Sequence, residues 1–443
     1  MYKYSTSFTN QLEFFEASLP FSGKLDSNNR WIKLSSQISW EHFEKIYAKT
    51  FAKIGRPGKQ ARLVIGALIL KHKLEVSDEE LTSQLTENPY LQFFVGLPRF
   101  QSDAPFDSST LTNVRKRLGE KEFDKFENIL IENLTSKKLV KPKGLLIDAT
   151  VCESDITFPT DCGILNKARK YCVIQIKTLS KIVGTKVRTY CRKAQKEYLN
   201  FSKKRKKTKK QVRRMQKSLL QYVRRNVKQM TELIEQATEH GHVVSNKVIH
   251  QFQIIKEIYR QQKQMYTEKV KTIESRIVSL HKSHVRPIVR GKSGKNVEFG
   301  AKVAMSYVDG YLFVDHYSND NYNESNTLEQ TVSNFNDRFG KDPNYVAMDQ
   351  IYGSRENRNY LKDKGIRTSV KRLGRKKTNE SSDKEYRWRK GKQRERNRIE
   401  GAFGHIKQKY LLGNVRAKLP ETEYSWFRFA LLSHNLATAA KRV

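Results

Sequence analysis

Acidic residues are scarce in this chain of 443 residues: 46 Asp and Glu stand against 85 Lys and Arg, giving a formal charge of +39. That deficit excludes an electroneutral surface and makes a polyanion the natural partner. Cysteine is rare as well, and the four present, Cys152, Cys162, Cys172 and Cys191, lie too far apart for paired zinc-ligand spacing. They are expected to be ordinary buried or half-buried thiols. Long apolar runs are missing: Leu63 to Leu70 falls far short of the roughly 18 residues that suggest a membrane span. Met1 to Asn10 has no apolar stretch of the secretory kind, so a cytoplasmic, nucleoid-associated protein with no membrane contact is expected.

What is present is a folding sequence. Apolar residues make up 37% and aromatics 10%, too much for a wholly disordered basic tail, and the mean hydropathy of −0.72 is too low for a membrane protein. The length corresponds to roughly three domains at about 150 residues each.

Residues 1–55 suggest a short packed arm. From 56 to about 140 the pattern is helical, with Leu63, Ala67, Leu70 and Leu74 at steps of three and four, and Ser77 followed by Glu80 as a capping box. A further start at Asp107-Ser108-Ser109 precedes Asn113, Arg115 and Lys116. Short helices with basic faces suit a helix-turn-helix-like DNA-binding module, or a helical domain whose lysines are merely solvated. Gly144 to Val151 has the look of a central strand carrying one carboxylate, Asp148. Helical spacing returns from about 196 to 283, folded into a hairpin at 240–246. Within it, Lys203 to Arg214 holds nine basic residues in twelve, suited to phosphates or to a solvated helix face. Strands follow at 298–308 and 311–317, joined by Asp309-Gly310, then a helix over 324–339. A strand over 344–349 ends in Asp349, a helix starts at Ser354, and one more strand covers 366–370.

Asp148 and Asp349 both sit near the C-terminal ends of apolar strands, where parallel pairing would bring them together. Two ionised carboxylates side by side need a cation, and all-oxygen ligands select Mg²⁺ or Mn²⁺. On a helix from about 392 to 410, Arg396, Glu400 and Lys407 fall within about 40° of one another on the wheel, a carboxylate between two cations. Each acid also has a plainer reading: a strand-end aspartate bonded to amides, an Asx turn at Asp349, a helical Glu400 paired with Arg396.

The segment Asp349-Gln-Ile-Tyr-Gly-Ser-Arg-Glu-Asn357 resembles the second-aspartate motif of bacterial insertion-sequence transposases of the DDE class, whose catalytic core is RNase H-like. Arg396-Asn-Arg-Ile-Glu400-Gly-Ala-Phe-Gly-His-Ile-Lys407 is similar to their third-carboxylate signature, and Leu146 to Thr150 to their first-aspartate strand. Residues 56–118 are similar to the N-terminal domain of the InsH-like transposases. One departure is Gln393, where the family signature has a tyrosine.

The resemblance implies an α/β protein: an RNase H-like mixed sheet with helices on both faces (141–160 and 296–443), interrupted by a basic helical insertion (161–295), after an all-α DNA-binding domain (56–140). It implies a DDE transposase of a mobile element, with Asp148, Asp349 and Glu400 as catalytic metal ligands for two Mg²⁺ or Mn²⁺ ions. Such ions, about 3.5 to 4 Å apart, cut a phosphodiester and then join the freed 3′-OH to target DNA. Arg396 and Lys407 are then candidates for phosphate contacts, and Asn113, Arg115 and Lys116 for reading the terminal inverted repeats. Lys371, Arg372 and Arg375 form either a backbone clamp or a solvated loop. Duplex DNA is the expected partner, bound by a homodimer. A metal-dependent nuclease that does not join, or an inactive transposase-derived DNA-binding protein, are the alternatives.

Overall fold

A computed structural model describes residues 1–4, 11–289, 297–374 and 384–443. Two compact units divide the chain: Met1–Asp155 with Ala301–Ser318 and Tyr322–Val443, and Ile156–Gly300 with Asn319–Asn321.

The first unit opens with short helices α1 (Gln11–Glu16), α2 (Arg30–Ser35) and α3 (Trp40–Ala48). Then come α4 (Ala61–Leu74), α5 (Asp78–Glu87), α6 (Pro89–Phe94), α7 (Ser109–Arg117) and α8 (Glu120–Ser136). Ser77 Oγ accepts from Glu80 N at 3.1 Å and caps the start of α5, while the Glu80 carboxylate accepts from Gln84 at 2.8 Å. The apolar run of α4 is buried on every side, as expected of a helix without a polar face. It packs against α16 (Pro420–Ala440), itself almost wholly buried. Asp78 pairs with Lys71 at 2.7 Å and with Arg115, and the Lys71 ammonium lies 4.6 Å above the Trp426 ring. The N-terminal helices therefore share one hydrophobic cluster with the sheet rather than enclosing a core of their own.

The sheet of this unit runs β3 (Val297–Val308), β1 (Gly144–Glu153), β5 (Tyr345–Ala347), β6 (Arg367–Thr368), and β4 (Tyr311–Ser318) pairs antiparallel with β3. The β3–β4 turn is made by Asp309 (φ 47°) and Gly310 (φ 96°), the left-handed pair that a two-residue hairpin needs. β1 and β5 are parallel, as are β5 and β6. Strand alternation divides the burial: Leu145 and Ile147 face one cluster with α13 (Leu328–Phe339), while Leu146 faces Ile399, Phe403 and Ile406 of α15 (Lys384–Lys409). Helices thus cover both faces of a mixed sheet. The helix expected over 324–339 begins as a 3₁₀ turn, Glu324–Thr327, and α14 (Arg355–Asp363) starts at Ser354 as expected.

The second unit is built on α9 (Asp161–Val183), α10 (Cys191–Ser202), α11 (Lys209–Glu239) and α12 (Asn246–Glu268), with β2 (Arg286–Val289) paired antiparallel to Val297–Gly300. The hairpin expected over 196–283 is present as α11 and α12, but helix stops at Glu268, because Lys269 adopts the left-handed conformation (φ 57°). Ile277 and Leu280 pack into the helical core from irregular chain, where Gln261 donates to Ser275 O and accepts from Ile277 N. The extended partner of α11 is α9. Among the described residues no helix is long and apolar enough to cross a membrane.

Candidate active site

The β1–β5 ladder pairs residues 201 positions apart, Gly144 with Tyr345, Leu145 with Val346, Leu146 with Ala347, and Asp349 lies 201 positions after Asp148. Asp148 has the parity of Leu146, which places it on the face covered by α15. Its side chain is 16% exposed and accepts from Ala149 N at 2.8 Å. Burial holds its carboxyl above the ordinary aspartate range; the Ala149 amide and Arg396 oppose that shift, and Glu324 and Glu400 reinforce it.

Apolar residues Ile399, Phe403 and Ile406 pin α15 to the sheet and set the adjoining stripe, Arg396 and Glu400, over β1. Arg396 Nη1 donates to Asp148 Oδ2 at 2.9 Å and Nη2 to Glu400 Oε1 at 2.7 Å. One guanidinium thus spans two of the three acids named from the sequence. Asp349 is the exposed residue that follows β5 and caps the 3₁₀ turn Gln350–Tyr352, where its Oδ1 accepts from Gln350 N. It lies two residues beyond the last paired position of the β1–β5 ladder, and its carboxylate is engaged with its own turn. Among the described residues, no three His, Cys, Asp or Glu side chains are gathered closely enough to hold a metal ion.

Three further residues shape this site and were not singled out for it. Gln393, oriented to satisfy its neighbours, donates to Met348 O at 3.2 Å and accepts from Arg396 Nε at 3.1 Å, tying the arginine to the residue before Asp349. Glu324 begins the 3₁₀ turn after β4 and pairs with Lys302 at 3.0 Å, close enough to raise the Asp148 carboxyl. Asn357, the last residue of the second-aspartate motif, donates to both Ser325 O and Tyr352 O at 2.9 Å and so joins the Glu324 turn to the Asp349 turn. Its place in the motif was the available signal, as the departure from the family signature was for Gln393; Glu324 carried none.

The expected DNA-contacting residues divide. Asn113, Lys116, Lys371 and Arg372 are exposed, and Lys407 is half-buried. Arg115 corrects its expectation: it is buried at 4% exposure, forks onto Asp78 and lies 5.6 Å from the Trp426 ring, so it fastens the fold instead of presenting a free cation. Arg375 lies outside the described residues.

Comparison with known proteins gives the family of the chain. Residues 20–117 match a family model described as a transposase domain (DUF772), and residues 346–437 match one described as a transposase DDE domain, which takes in Asp349 and Glu400. An uncharacterized protein of Rhizobium meliloti, ORF8 in the nfe locus, is 35% identical over 140 residues, which are 31% of this chain and 68% of that protein. No solved structure matches the chain. The chain belongs to the insertion-sequence DDE transposases.

Proposed function

We propose that this transposase binds the terminal inverted repeats of its own insertion sequence, cleaves the DNA ends and joins their 3′-OH groups to target DNA. Asp148, Asp349 and Glu400 are the ligands of two divalent ions, Mg²⁺ or Mn²⁺, on an RNase H-like core. The donor set fits such ions: three carboxylates of hard oxygen, no sulfur among them, with a cation already drawn between two. Bound there, the ions supply an activated water and charge stabilisation for the departing 3′ oxygen.

The chain's own part follows from where each group is mounted. Asp148 is fixed on a central strand and Glu400 on a helix pinned by three buried side chains, so neither has to be ordered when substrate arrives. Asp349 sits on a short turn, bonded to the amide of Gln350. Arg396 neutralises Asp148 and Glu400 in the free protein; its planar fork also matches a phosphate, which it would be free to hold once metal occupied the carboxylates. Asn113 and Lys116, exposed on α7, contact the terminal repeats, and a homodimer brings the two ends together.

The bridge from Arg396 to Asp148 and Glu400 carries this reading, because it brings together on one cation two acids 252 positions apart, both named from the family signature. The test is a strand-transfer assay. Oligonucleotides are taken from inverted repeats in the DNA flanking the reading frame, and the purified protein is given Mg²⁺ and a target plasmid. Joining of a pre-cut 3′-OH end is expected. Cutting without joining identifies a nuclease, and binding with neither identifies an inactive derivative.

A further inference from the structure

The acid-free stretch richest in basic residues lies in the second unit. From Tyr198 to Thr231 the chain has thirteen basic residues and no acidic one. The structure sorts these residues by side. Met215, Leu219, Val223 and Met230 of α11 are buried, whereas Arg213, Arg214, Lys217, Arg224, Arg225 and Lys228 are exposed. At 3.6 residues per turn the six fall within about 120° of the helix circumference and extend for about 22 Å. Among the described residues their one ion pair is Lys228 with Glu232, at 3.8 Å. The neighbouring carboxylate of α10, Glu197, is occupied by the hydroxyls of Ser218 and Tyr222.

Two of the arginines are held in place without an anion. The Arg213 guanidinium lies 4.3 Å from the Tyr266 ring and donates to Tyr266 O. Arg225 lies 4.6 Å from the ring of Tyr190, and Arg188 lies 4.5 Å from the same ring. Tyr190 is itself exposed and in the left-handed backbone region (φ 53°), a conformation bulky residues rarely adopt. Two like charges are thus gathered on one ring by a strained residue, which favours an anion between or beside them.

We infer that this face of α11, extended by Arg188 and Tyr190, binds the backbone of duplex DNA. The inference rests on the reading of the chain as a DNA-cutting enzyme, and it assigns to the inserted unit a grip on the substrate apart from the carboxylate site. An uninterrupted line of cations of this length matches the evenly spaced charges of a phosphodiester backbone, one per about 1.7 Å of duplex axis, whereas protein surfaces mix both signs. The contacts are to phosphate and carry no base sequence.

The test measures fluorescence anisotropy of a labelled random-sequence duplex with the full-length protein in EDTA, across a salt series. The variant R214Q/K217Q/R224Q/K228Q removes four exposed cations that make no ring contact of their own beyond the α11 surface. Affinity is expected to fall about tenfold or more, and the slope of log affinity against log salt to shrink by about 3 to 4. R214Q/K217Q alone should give about half that change, which keeps the test informative if the fourfold variant is unstable. A control in the N-terminal arm, K24Q/K33Q/K49Q/K53Q, is expected to leave the slope nearly unchanged. An unaltered slope in the α11 variants, or an equal loss in the control, overturns the inference, as does a wild-type preference for polyglutamate over duplex. Because metal is absent, failure of the catalytic reading registers separately, as DNA binding through α11 with no cleavage when Mg²⁺ is added.

Discussion

Arg396 of α15 donates to Asp148 of the central strand at 2.9 Å across 248 positions of chain. Asp148 is largely withdrawn from water, and its carboxyl is raised by burial, so an ionised form needs a partner. The guanidinium supplies it and reaches Glu400 with its other nitrogen. Arg396 therefore occupies, in the free protein, the electrostatic place that we assign to metal.

Arg396→Ala leaves Asp148 and Glu400 without a counter-charge. In metal-free buffer the variant should lose about 1 to 3 kcal/mol of stability. Added Mg²⁺ should then raise its melting temperature by more than it raises that of the wild type. Equal Mg²⁺ shifts, read by differential scanning fluorimetry, would contradict the shared position.

Asp148→Asn removes a carboxylate whose folded-state pKa lies above its ordinary value because of burial. An acid shifted upward binds its proton more tightly when folded, so ionisation costs stability as pH rises through the folded pKa. At pH 7 the metal-free Asn variant should therefore melt higher than the wild type while failing to cleave DNA. A lower melting temperature would show that Asp148 is held for stability.

Gln393→Ala unties Arg396 from Met348 O. Cleavage should slow by about 10- to 100-fold, the usual cost of losing a group that orients a functional side chain, with DNA affinity unchanged. A loss confined to DNA affinity would mean that Gln393 acts on substrate and not on the arginine.

His72 and His434 predict the acid response. Burial lowers His72 to about 3 and His434 to about 4. His72 Nδ1 faces Tyr410 O at 3.0 Å, and its ring stands edge-on to Trp426. Both must be neutral in the fold, so their stability is complete above about pH 6.5 and is lost as pH falls toward the folded values. Each contributes a slope of about 1.4 kcal/mol per pH unit in that window. Urea titrations between pH 4 and 6 should show His434→Asn flattening the dependence by about one proton; an unchanged slope would contradict its neutral burial.

Much of this architecture was legible where local rules act alone. Asp309-Gly310 specified its hairpin, Ser77 its helix start, and the periodicity of Ile399, Phe403 and Ile406 the face α15 buries. The parity of Leu146 and Asp148 is likewise written in the chain. Long-range pairing was not. Arg115 reads as a surface cation until Asp78, 37 positions earlier, and Trp426 enclose it. Helix α9 carries a regular spacing of Leu165, Ala168, Cys172, Ile176 and Leu179, but lysines and small residues dilute the signal. The end of α12 at Lys269 depends on one residue's left-handed backbone, which composition does not announce. Glu324 matters through what it touches, and nothing in its neighbourhood of sequence points there; Gln393 stood out as a departure from the family signature, but its tie to Arg396 was not written in it.

The convergence of Asp148, Asp349 and Glu400 on divalent metal is tested most directly by localised hydroxyl-radical cleavage of the full-length protein. Fe²⁺ is bound in place of Mg²⁺, ascorbate and peroxide are added, and the cut sites are mapped by mass spectrometry. Backbone cuts clustered near residues 148, 349 and 400, all suppressed together by excess Mg²⁺, are the predicted result. Cuts that spare any one of these three positions, or that persist unchanged in Mg²⁺, would contradict it.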